Sequence, residues 1–304
     1  MQYRPLGRTG MKLSALGLGG HWKGLAPVLG RAFTGSGYDE QDFENIRAAD
    51  FLENRDRVIG RAIELGVNFV DACAPAEILA YAKLLAGGRD KMHFGYSWHT
   101  REPRYPEWRT ARALVAGLEE GLREAGLDYV DLWRMSLPAD GVADPSERQR
   151  IEEAAAGGLA LARRQGKARA TGVSSHDRAW LAKMLEAYPD EIEVVLFPFT
   201  GGSARAEEGS LLDVVRRRGA GALAIKPFAG GALAGVAALA IRHIVAQDGL
   251  TGVLAGFASV EQLECAAAAA DNACPLDAAE RAELDRAAAA MWPSLTWLQN
   301  WRSV

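Results

Sequence analysis

Short apolar segments alternate with longer segments rich in alanine, leucine and arginine along nearly the whole chain. Short continuous apolar runs are typical of strands buried in a parallel sheet, and the longer segments have the apolar spacing of helices. Eight strand-then-helix units follow one another with no break in composition. This pattern predicts an α/β protein with one (β/α)8 barrel, a TIM barrel, that spans residues 1–304 as a single domain.

The predicted strands cover residues 13–18, 67–71, 92–98, 129–135, 168–173, 193–197, 221–225 and 252–255. The predicted helices cover residues 55–65, 76–85, 110–125, 147–165, 178–187, 210–218, 232–247 and 260–270.

Four segments lie outside these units. Residues 2–7 are expected to plug the barrel bottom, 277–291 to form an extra C-terminal helix, and 292–304 to form a tail with three tryptophans. Residues 21–54 form an unusually long first connection, since most strand–helix connections are short. Such a loop lies on the face where barrel active sites are built, so it is either part of the site or a surface insertion.

Composition excludes several classes of protein. The net charge of −4 argues against a general nucleic-acid binder. No apolar run is long enough for a membrane helix, so no membrane partner is expected. Three cysteines, an odd number, argue against a disulfide framework and fit a reducing compartment. We therefore expect a cytoplasmic protein that acts on a small molecule, with its oligomeric state open.

Several motifs resemble the aldo/keto reductase family in register from end to end. The opening YRPLGRTGMKLSALGLGG (3–20) looks like that family's entry hairpin and first strand. Further matches are ELGVNFVDACAP (64–75), LDYVDLW (127–133), GKARATGVSS (166–175), IKPFAGGALAG (225–235) and GFASVEQLE (256–264). The resemblance implies a single barrel and hydride transfer from NADPH to aldehydes and ketones.

The resemblance also implies a catalytic tetrad of aspartate, tyrosine, lysine and histidine. The aspartate corresponds to Asp71, but the tyrosine position holds Ala76, the lysine position Ser97 and the histidine position Ser136. Alanine has no proton to donate, and an ordinary serine hydroxyl is a poor acid near neutral pH. Standard carbonyl reduction is therefore not expected.

Two tyrosines near these positions are candidates for a substitute proton donor. Tyr81 lies about one and a half helical turns beyond Ala76 and is expected to face elsewhere. Strand alternation is expected to point Tyr96 out of the barrel.

The positions that the resemblance assigns to the cofactor are also only partly retained. Ser174 and Ser175 stand where the family holds the nicotinamide carboxamide, and Gly230 and Gly231, near Lys226, are positioned to expose backbone N–H groups to a phosphate. The positions expected to hold the adenosine 2′-phosphate and the adenine carry Ala258 or Ser259 and Ala266. Binding of NADPH or NADH stays open, and binding of no nucleotide is the alternative.

Residues at the carboxyl ends of the strands are expected to meet at the barrel mouth. Alternation along the fourth predicted strand points Arg134 into the barrel, where an unpaired guanidinium would be costly. Two interpretations stay open: a structural pair with Asp71, or an arginine that binds a carboxylate or phosphate of the substrate.

His21, His99 and His176 are candidate acid–base residues, since imidazole titrates near neutrality. Together with Asp71 they could also bind a metal, but their spacing does not enforce a site and none is predicted. Cys73 is interpreted as a small buried thiol rather than a nucleophile, because no partner histidine is evident.

Trp22, Trp98 and Trp133 are expected to line a pocket, and Trp292, Trp297 and Trp301 to cap the mouth or form a subunit contact.

Three functions remain. The first is an enzyme on a reductase-like barrel that performs non-standard acid–base chemistry, such as elimination, isomerisation or cyclisation, on a small organic molecule, including one that carries a carboxylate or phosphate. The second is an NAD(P)H-dependent oxidoreductase with a relocated proton donor. The third is a non-catalytic binding or regulatory barrel.

Overall fold

The computed structural model describes residues 1–22, 24–30, 40–136, 142, 144–203, 210–272 and 274–291. The predicted aromatic tail, 292–304, lies outside these residues, as does the middle of the long first connection.

Eight parallel strands close into a barrel in the order in which they occur along the chain, and the last strand pairs with the first. Helices follow the strands and surround the barrel, so the predicted (β/α)8 architecture is confirmed. The barrel strands are β3 (Leu16–Gly19), β4 (Phe69–Ala72), β5 (His93–Tyr96), β6 (Val130–Ser136), β7 (Ala168–Ser174), β8 (Val194–Pro198), β9 (Gly221–Ile225) and β10 (Gly252–Ala255).

The helices are α1 (Leu25–Leu29), α2 (Glu40–Asn45), α3 (Ala49–Glu64), α4 (Pro75–Leu84), α5 (Ala111–Ala125), α6 (Pro145–Arg164), α7 (Arg178–Ala187), α8 (Leu211–Arg218), α9 (Ala237–Val245), α10 (Val260–Asp271) and α11 (Ala278–Met291).

A two-stranded hairpin, β1 (Tyr3–Pro5) and β2 (Lys12–Ser14), precedes the barrel. Leu6 and Leu13 belong to the apolar cluster inside the barrel, together with side chains of six barrel strands. The bottom plug is therefore confirmed. The predicted first strand, 13–18, was wrong as one element because it joins the end of the hairpin to the start of β3.

The second correction concerns the first connection. It is not a continuous loop to residue 54, because it contains α1 and α2 and α3 begins at Ala49. The helix predicted from residue 232 begins only at Ala237, since two short 3₁₀ turns, Ala229–Gly231 and Ala234–Val236, take up the preceding residues.

Alternation of side chains divides the core into two layers. On β6, Leu132 belongs to the cluster inside the barrel, whereas Trp133 and Met135 pack between the barrel and the helices. Residues in phase with Leu132 therefore point into the barrel, and this places Arg134 on the inner face.

Within the described ranges, none of the helices combines the length and the apolar character that crossing a membrane requires.

Candidate active site

Arg134 and Asp71 form a bidentate ion pair across the inside of the barrel. Arg134 Nε donates to Asp71 Oδ1 at 3.0 Å, and Nη2 donates to Oδ2 at 2.6 Å. The third guanidinium nitrogen, Nη1, donates to Ser174 Oγ at 3.0 Å. The pair that strand alternation suggested therefore exists, and it extends through Ser174 to a third strand.

Space for this pair comes from a glycine. Asp71 is on β4 and Arg134 on β6, and the strand between them, β5, presents Gly95 beside Asp71 in the register. A Cβ at Gly95 would lie 2.8 Å from Asp71 Oδ1 and 2.7 Å from the Phe69 ring. The absence of a side chain at this position lets the guanidinium reach across one strand.

The ion pair is almost completely enclosed. Asp71, Arg134 and Ser174 are 6, 4 and 5% exposed. Burial disfavours the charge on Arg134, but the adjacent Asp71 carboxylate outweighs it and raises the pKa of Arg134 above its ordinary value. The three side chains form a charged floor beneath the barrel mouth, which we call the Arg134 floor.

Ser97 and Ser136, at the positions where the family resemblance expects lysine and histidine, meet at a buried carboxylate. The Ser97 hydroxyl donates to Glu102 Oε1, and the backbone N–H of Ser136 also bonds to the Glu102 carboxylate. Glu102 is 1% exposed, and this burial raises its pKa despite the opposing charge of Arg104. Sequence reasoning missed Glu102, which follows β5 within a 3₁₀ connection and has no motif of its own.

Neither tyrosine near the tyrosine position reaches the barrel interior. Ala76 is fully buried in the first turn of α4. Tyr81 lies in the layer between helices and barrel, where its hydroxyl donates to the Gly19 carbonyl at 2.8 Å. Tyr96 is buried in the same layer, as strand alternation predicts. Burial raises the pKa of both tyrosines, so neither is placed or tuned as a proton donor at the mouth.

Cys73, His21 and Glu77 come together beside the Arg134 floor. His21 Nε2 lies 3.9 Å from Cys73 Sγ, and His21 Nδ1 contacts Glu77 Oε1. The interpretation of Cys73 as a buried thiol without a partner histidine was therefore wrong: the thiol is half-buried and has an imidazole neighbour. The partner comes from a loop 52 residues earlier, which chain spacing does not reveal.

The Glu77 carboxylate is held in place by the backbone. It is fully buried and accepts the N–H groups of His21, Cys73 and Ala74, the last two at 3.1 and 3.2 Å. A Cβ at Gly20 would lie 2.1 Å from this carboxylate, so only glycine fits there.

Charge in this cluster follows from the same contacts. The Glu77 carboxylate opposes the effect of burial and raises the pKa of His21 to about 11. Burial alone would raise the pKa of Glu77, but His21 and the backbone N–H groups bring it below its ordinary value. His21 also adopts φ +55°, a left-handed conformation that is uncommon for a residue other than glycine.

The other two candidate histidines have the opposite tendency. Desolvation, aided by the charges of Arg104 and His21, lowers the pKa of His99 to about 4. His99 is half-buried, and its backbone N–H donates to the Cys73 carbonyl at 3.2 Å. His176 stands exposed after β7, and desolvation together with Lys226 lowers its pKa to about 4. At neutral pH the mouth therefore combines a cationic His21 with neutral His99 and His176.

The four side chains that could in principle share a metal, Asp71, His21, His99 and His176, do not group together in the part of the chain that the structure describes. Among the described residues, the one group of three or more His, Cys, Asp and Glu side chains close enough to share an ion is His21, Cys73 and Glu77. Both Glu77 oxygens already accept N–H groups, so the arrangement is better explained by hydrogen bonding than by metal binding.

The three tryptophans expected to line a pocket are core residues instead. Trp22, Trp98 and Trp133 are each 5% exposed or less and pack in the outer layer. Trp22 has Phe51 and Tyr81 as ring neighbours, with centroids 5.1 and 5.4 Å away. The expectation failed because Trp133 alternates outward on β6, and Trp22 and Trp98, which follow β3 and β5, pack into the same outer layer.

A cleft of about 500 Å³ lies on the outside of the barrel, between α4, α5 and the start of β6. It is at the opposite end of β6 from Ser136, and barrel chemistry is built at the carboxyl ends of strands. We therefore base no function on this cleft.

A family model for the aldo/keto reductase family matches residues 48–236, more than half of the chain. The chain belongs to the aldo/keto reductase family.

Individual relatives are more distant. Two curated L-glyceraldehyde 3-phosphate reductases, from Escherichia coli strains K12 and O157:H7, are each 27% identical over 252 residues. The match covers 77% of this chain and 64% of the length of each relative.

Solved structures show the same fold. An aldo-keto reductase from Bacillus halodurans, in its holo form, superposes with a TM-score of 0.65 at 19% identity, over 94% of this chain and 96% of its own. An aldo-keto reductase chain from Pseudomonas aeruginosa gives 0.64 at 18% identity, over 90% and 95%.

Aldo/keto reductases generally use NAD(P)H, which requires groups at the barrel mouth that bind its phosphates, its nicotinamide and its adenosine. The turn after β9 leaves room for a phosphate group: Ala229, Gly230 and Gly231 all have positive φ, and both glycines are exposed with nothing within 4 Å of an added Cβ. The expected set of exposed backbone N–H groups is only partly present, because Ala229 and Gly231 already donate to the Lys226 and Phe228 carbonyls at 3.0 and 2.9 Å. Lys226, at φ +58°, begins this turn.

The nicotinamide end fits less well. Ser174 Oγ accepts from Arg134, and Ser175 Oγ accepts from the Asp177 N–H at 3.0 Å. The two serines that the family resemblance assigns to the carboxamide are therefore already engaged within the protein. We derive no chemical step through a nucleotide at this mouth.

The adenosine end offers no cation at the expected positions. Ala258 is 6% exposed, Ala266 is 3% exposed, and the Ser259 hydroxyl caps α10. A phosphate monoester gains much of its binding energy from arginine or lysine, which these positions lack.

Proposed function

We infer that this aldo/keto reductase family member catalyses proton transfer next to the carbonyl group of a small aldehyde or ketone, such as an isomerisation or an elimination, in place of hydride transfer. The observation that carries this proposal is the Arg134 floor. Asp71, which survives from the family tetrad, has both oxygens bonded to Arg134, and Ser174 is bonded to the same guanidinium. Asp71 and Ser174, at positions of the family's reduction site, are thereby engaged in hydrogen bonds with Arg134.

The charge states at the mouth support this chemistry. A reaction that moves a proton from carbon to a carbonyl oxygen needs a base and an acid of different pKa in one site. Neutral His99 suits removal of the carbon-bound proton, and the electron pair of that bond shifts towards the carbonyl. Cationic His21 suits donation of a proton to the oxygen, and Glu77 orients its ring.

A small carbonyl compound is the substrate class that the relatives favour. The two curated relatives are named as reductases of L-glyceraldehyde 3-phosphate, an aldehyde that carries a phosphate. We extend to this chain only that chemical class. The left-handed turn from Ala229 to Gly231 is a candidate for holding the phosphate of such a substrate.

The test follows deuterium exchange from D₂O into the carbon next to the carbonyl of L-glyceraldehyde 3-phosphate by ¹H NMR. We expect enzyme-dependent exchange that His99→Gln reduces by about 100-fold or more, the usual size of an acid–base contribution. His93→Gln is the matched control, because His93 lies at the start of β5, away from the mouth. Wild-type exchange no faster than the uncatalysed rate would refute the proposal.

The second candidate is an NAD(P)H-dependent oxidoreductase with a relocated proton donor. The phosphate-compatible turn after β9 favours it. Oxidation of NADPH or NADH with the same aldehyde, followed at 340 nm, separates it from the first candidate.

A further inference from the structure

The Cys73 thiol stands at the barrel mouth, directly above the Arg134 floor. Cys73 lies two residues after Asp71, just past the end of β4, and its charge interaction with Arg134 shows that the sulfur is near the floor. Asp71 is enclosed, whereas Cys73 is half-buried. The sulfur is therefore more accessible than the Asp71 carboxylate.

Each partner of the thiol has one geometric role. His21 directs Nε2 towards the sulfur at 3.9 Å and Nδ1 towards the Glu77 carboxylate. Glu77 cannot turn away, because three backbone N–H groups hold its two oxygens. A nucleophile, a base and a group that fixes the base are the three parts of an activated nucleophile in acyl-transfer and thiol enzymes.

Other features of the chain are built around this arrangement. Gly20 leaves the only room for the Glu77 carboxylate, and His21 holds an uncommon left-handed backbone conformation. Residues held in sparsely populated conformations cluster at functional sites. The Glu77 charge also holds His21 protonated well above neutral pH.

We propose that Cys73, His21 and Glu77 act as nucleophile, proton-transfer imidazole and orienting carboxylate of a thiol site that adds covalently and reversibly to the carbonyl carbon of a small aldehyde. The proposal rests on the proposed function only for the substrate class. It assigns to this mouth a covalent step that the family tetrad does not include.

The addition balances without any other reactant. The protonated His21 donates its Nε2 proton to the carbonyl oxygen as the sulfur attacks the carbonyl carbon. The C–S bond forms as the π bond of the carbonyl breaks, and its electron pair takes up that proton. The thiol proton then passes to the vacated Nε2, which gives a hemithioacetal, restores the charge of His21 and needs neither an oxidant nor a leaving group.

The chain contains its own reference thiols. Cys265 and Cys274 are exposed, whereas Cys73 is half-buried, so access alone would make Cys73 the slowest of the three. With limiting iodoacetamide and peptide-level mass spectrometry, we expect Cys73 to be alkylated at least about tenfold faster than either reference thiol. His21→Gln, a change at a side chain that is 41% exposed, should remove this advantage and leave both reference rates unchanged.

The aldehyde itself is tested by ¹³C NMR with [1-¹³C]glycolaldehyde on a Cys265→Ser, Cys274→Ser protein. We expect a hemithioacetal carbon signal that disappears in the additional Cys73→Ala variant. Cys73 alkylation no faster than that of the reference thiols, or a labelled spectrum identical with and without Cys73, would overturn the proposal.

The two experiments together distinguish this proposal from the proposed function. Loss of deuterium exchange in His99→Gln with the adduct signal retained supports both. Exchange without an adduct overturns the thiol proposal alone, and an adduct without exchange overturns the proton-transfer proposal alone.

Discussion

Arg134 and Asp71 are joined by two hydrogen bonds across the empty side-chain position of Gly95. In this pair Asp71, which the family resemblance assigns to the catalytic tetrad, anchors a buried guanidinium. Four stability and binding measurements follow from this arrangement and from the charges around it.

Removal of Asp71 should cost more than removal of the whole pair. Asp71→Ala leaves the Arg134 charge buried without its partner, and breaking such a pair costs about 3–5 kcal/mol of unfolding free energy. The double variant Asp71→Ala, Arg134→Met replaces the pair with an apolar side chain and should be more stable than Asp71→Ala alone. Urea denaturation measures the unfolding free energies of four proteins: the wild type, Asp71→Ala, Arg134→Met and the double variant. Strict additivity of the two single changes would contradict the coupling.

Gly95→Ala should destabilise the barrel by about 1–3 kcal/mol, the usual cost of forcing extra volume into a packed interior. The new methyl group would press on Asp71 Oδ1 and on the Phe69 ring. Gly60→Ala is the matched control: Gly60 is an exposed residue of α3 with open space around it. Because alanine is a better helix former, that change should stabilise the protein by up to about 1 kcal/mol. Equal effects at the two positions would contradict the crowding at Gly95.

Stability should fall as the pH is lowered from about 6.5 towards 4. The pKa of His99 is lowered from its ordinary 6.5 to about 4, so the unfolded chain binds this proton more readily than the folded protein does. The stability associated with neutral His99 is fully present above pH 6.5. It is lost as the pH falls towards 4, the pKa of His99 in the folded protein. Urea midpoints measured between pH 7 and 4 should decline less steeply for His99→Gln than for the wild type.

His176 has a lowered pKa for related reasons and would add to the same decline. Comparison of the His99→Gln, His176→Gln double variant with His99→Gln alone therefore gives the His176 contribution to the pH dependence. A pH profile of wild type that is flat between 6.5 and 4 would contradict both.

Nucleotide binding should show no strong preference for NADPH over NADH. No lysine or arginine stands at Ala258, Ser259 or Ala266 to pair with the 2′-phosphate. Tryptophan fluorescence, titrated with each nucleotide to millimolar concentration, measures the two dissociation constants. Tighter binding of NADPH by about tenfold or more, which corresponds to 1.4 kcal/mol, would contradict this expectation.

The barrel and the inward direction of Arg134 could be predicted from the sequence, because both follow from periodicity. Alternation along β6 places Arg134 in phase with Leu132, and a buried arginine requires a carboxylate. The positions of Glu77 and Glu102 could not be predicted in this way. One is clamped by backbone N–H groups and the other sits in an irregular connection, so neither produces a period that can be recognised.

The Cys73–His21 contact also could not be predicted from sequence spacing. Its two residues follow neighbouring barrel strands, and their separation depends on the backbone conformation of His21 rather than on sequence spacing. The pair Gly19–Gly20 ahead of His21 was the available signal, since a carboxylate that approaches the backbone so closely excludes any side chain.

The N-terminal hairpin contacts residues that lie far from it in the sequence. Arg8 donates its backbone N–H to the Gly219 carbonyl at 2.9 Å, and the N-terminal amine lies 3.0 Å from Asp271. Residues of the hairpin therefore acquire their final contacts only when β9 and α10, which lie far along the sequence, are in place. Because contacts between distant parts of a chain form slowly, docking of the hairpin and closure of the barrel should be a late and joint event.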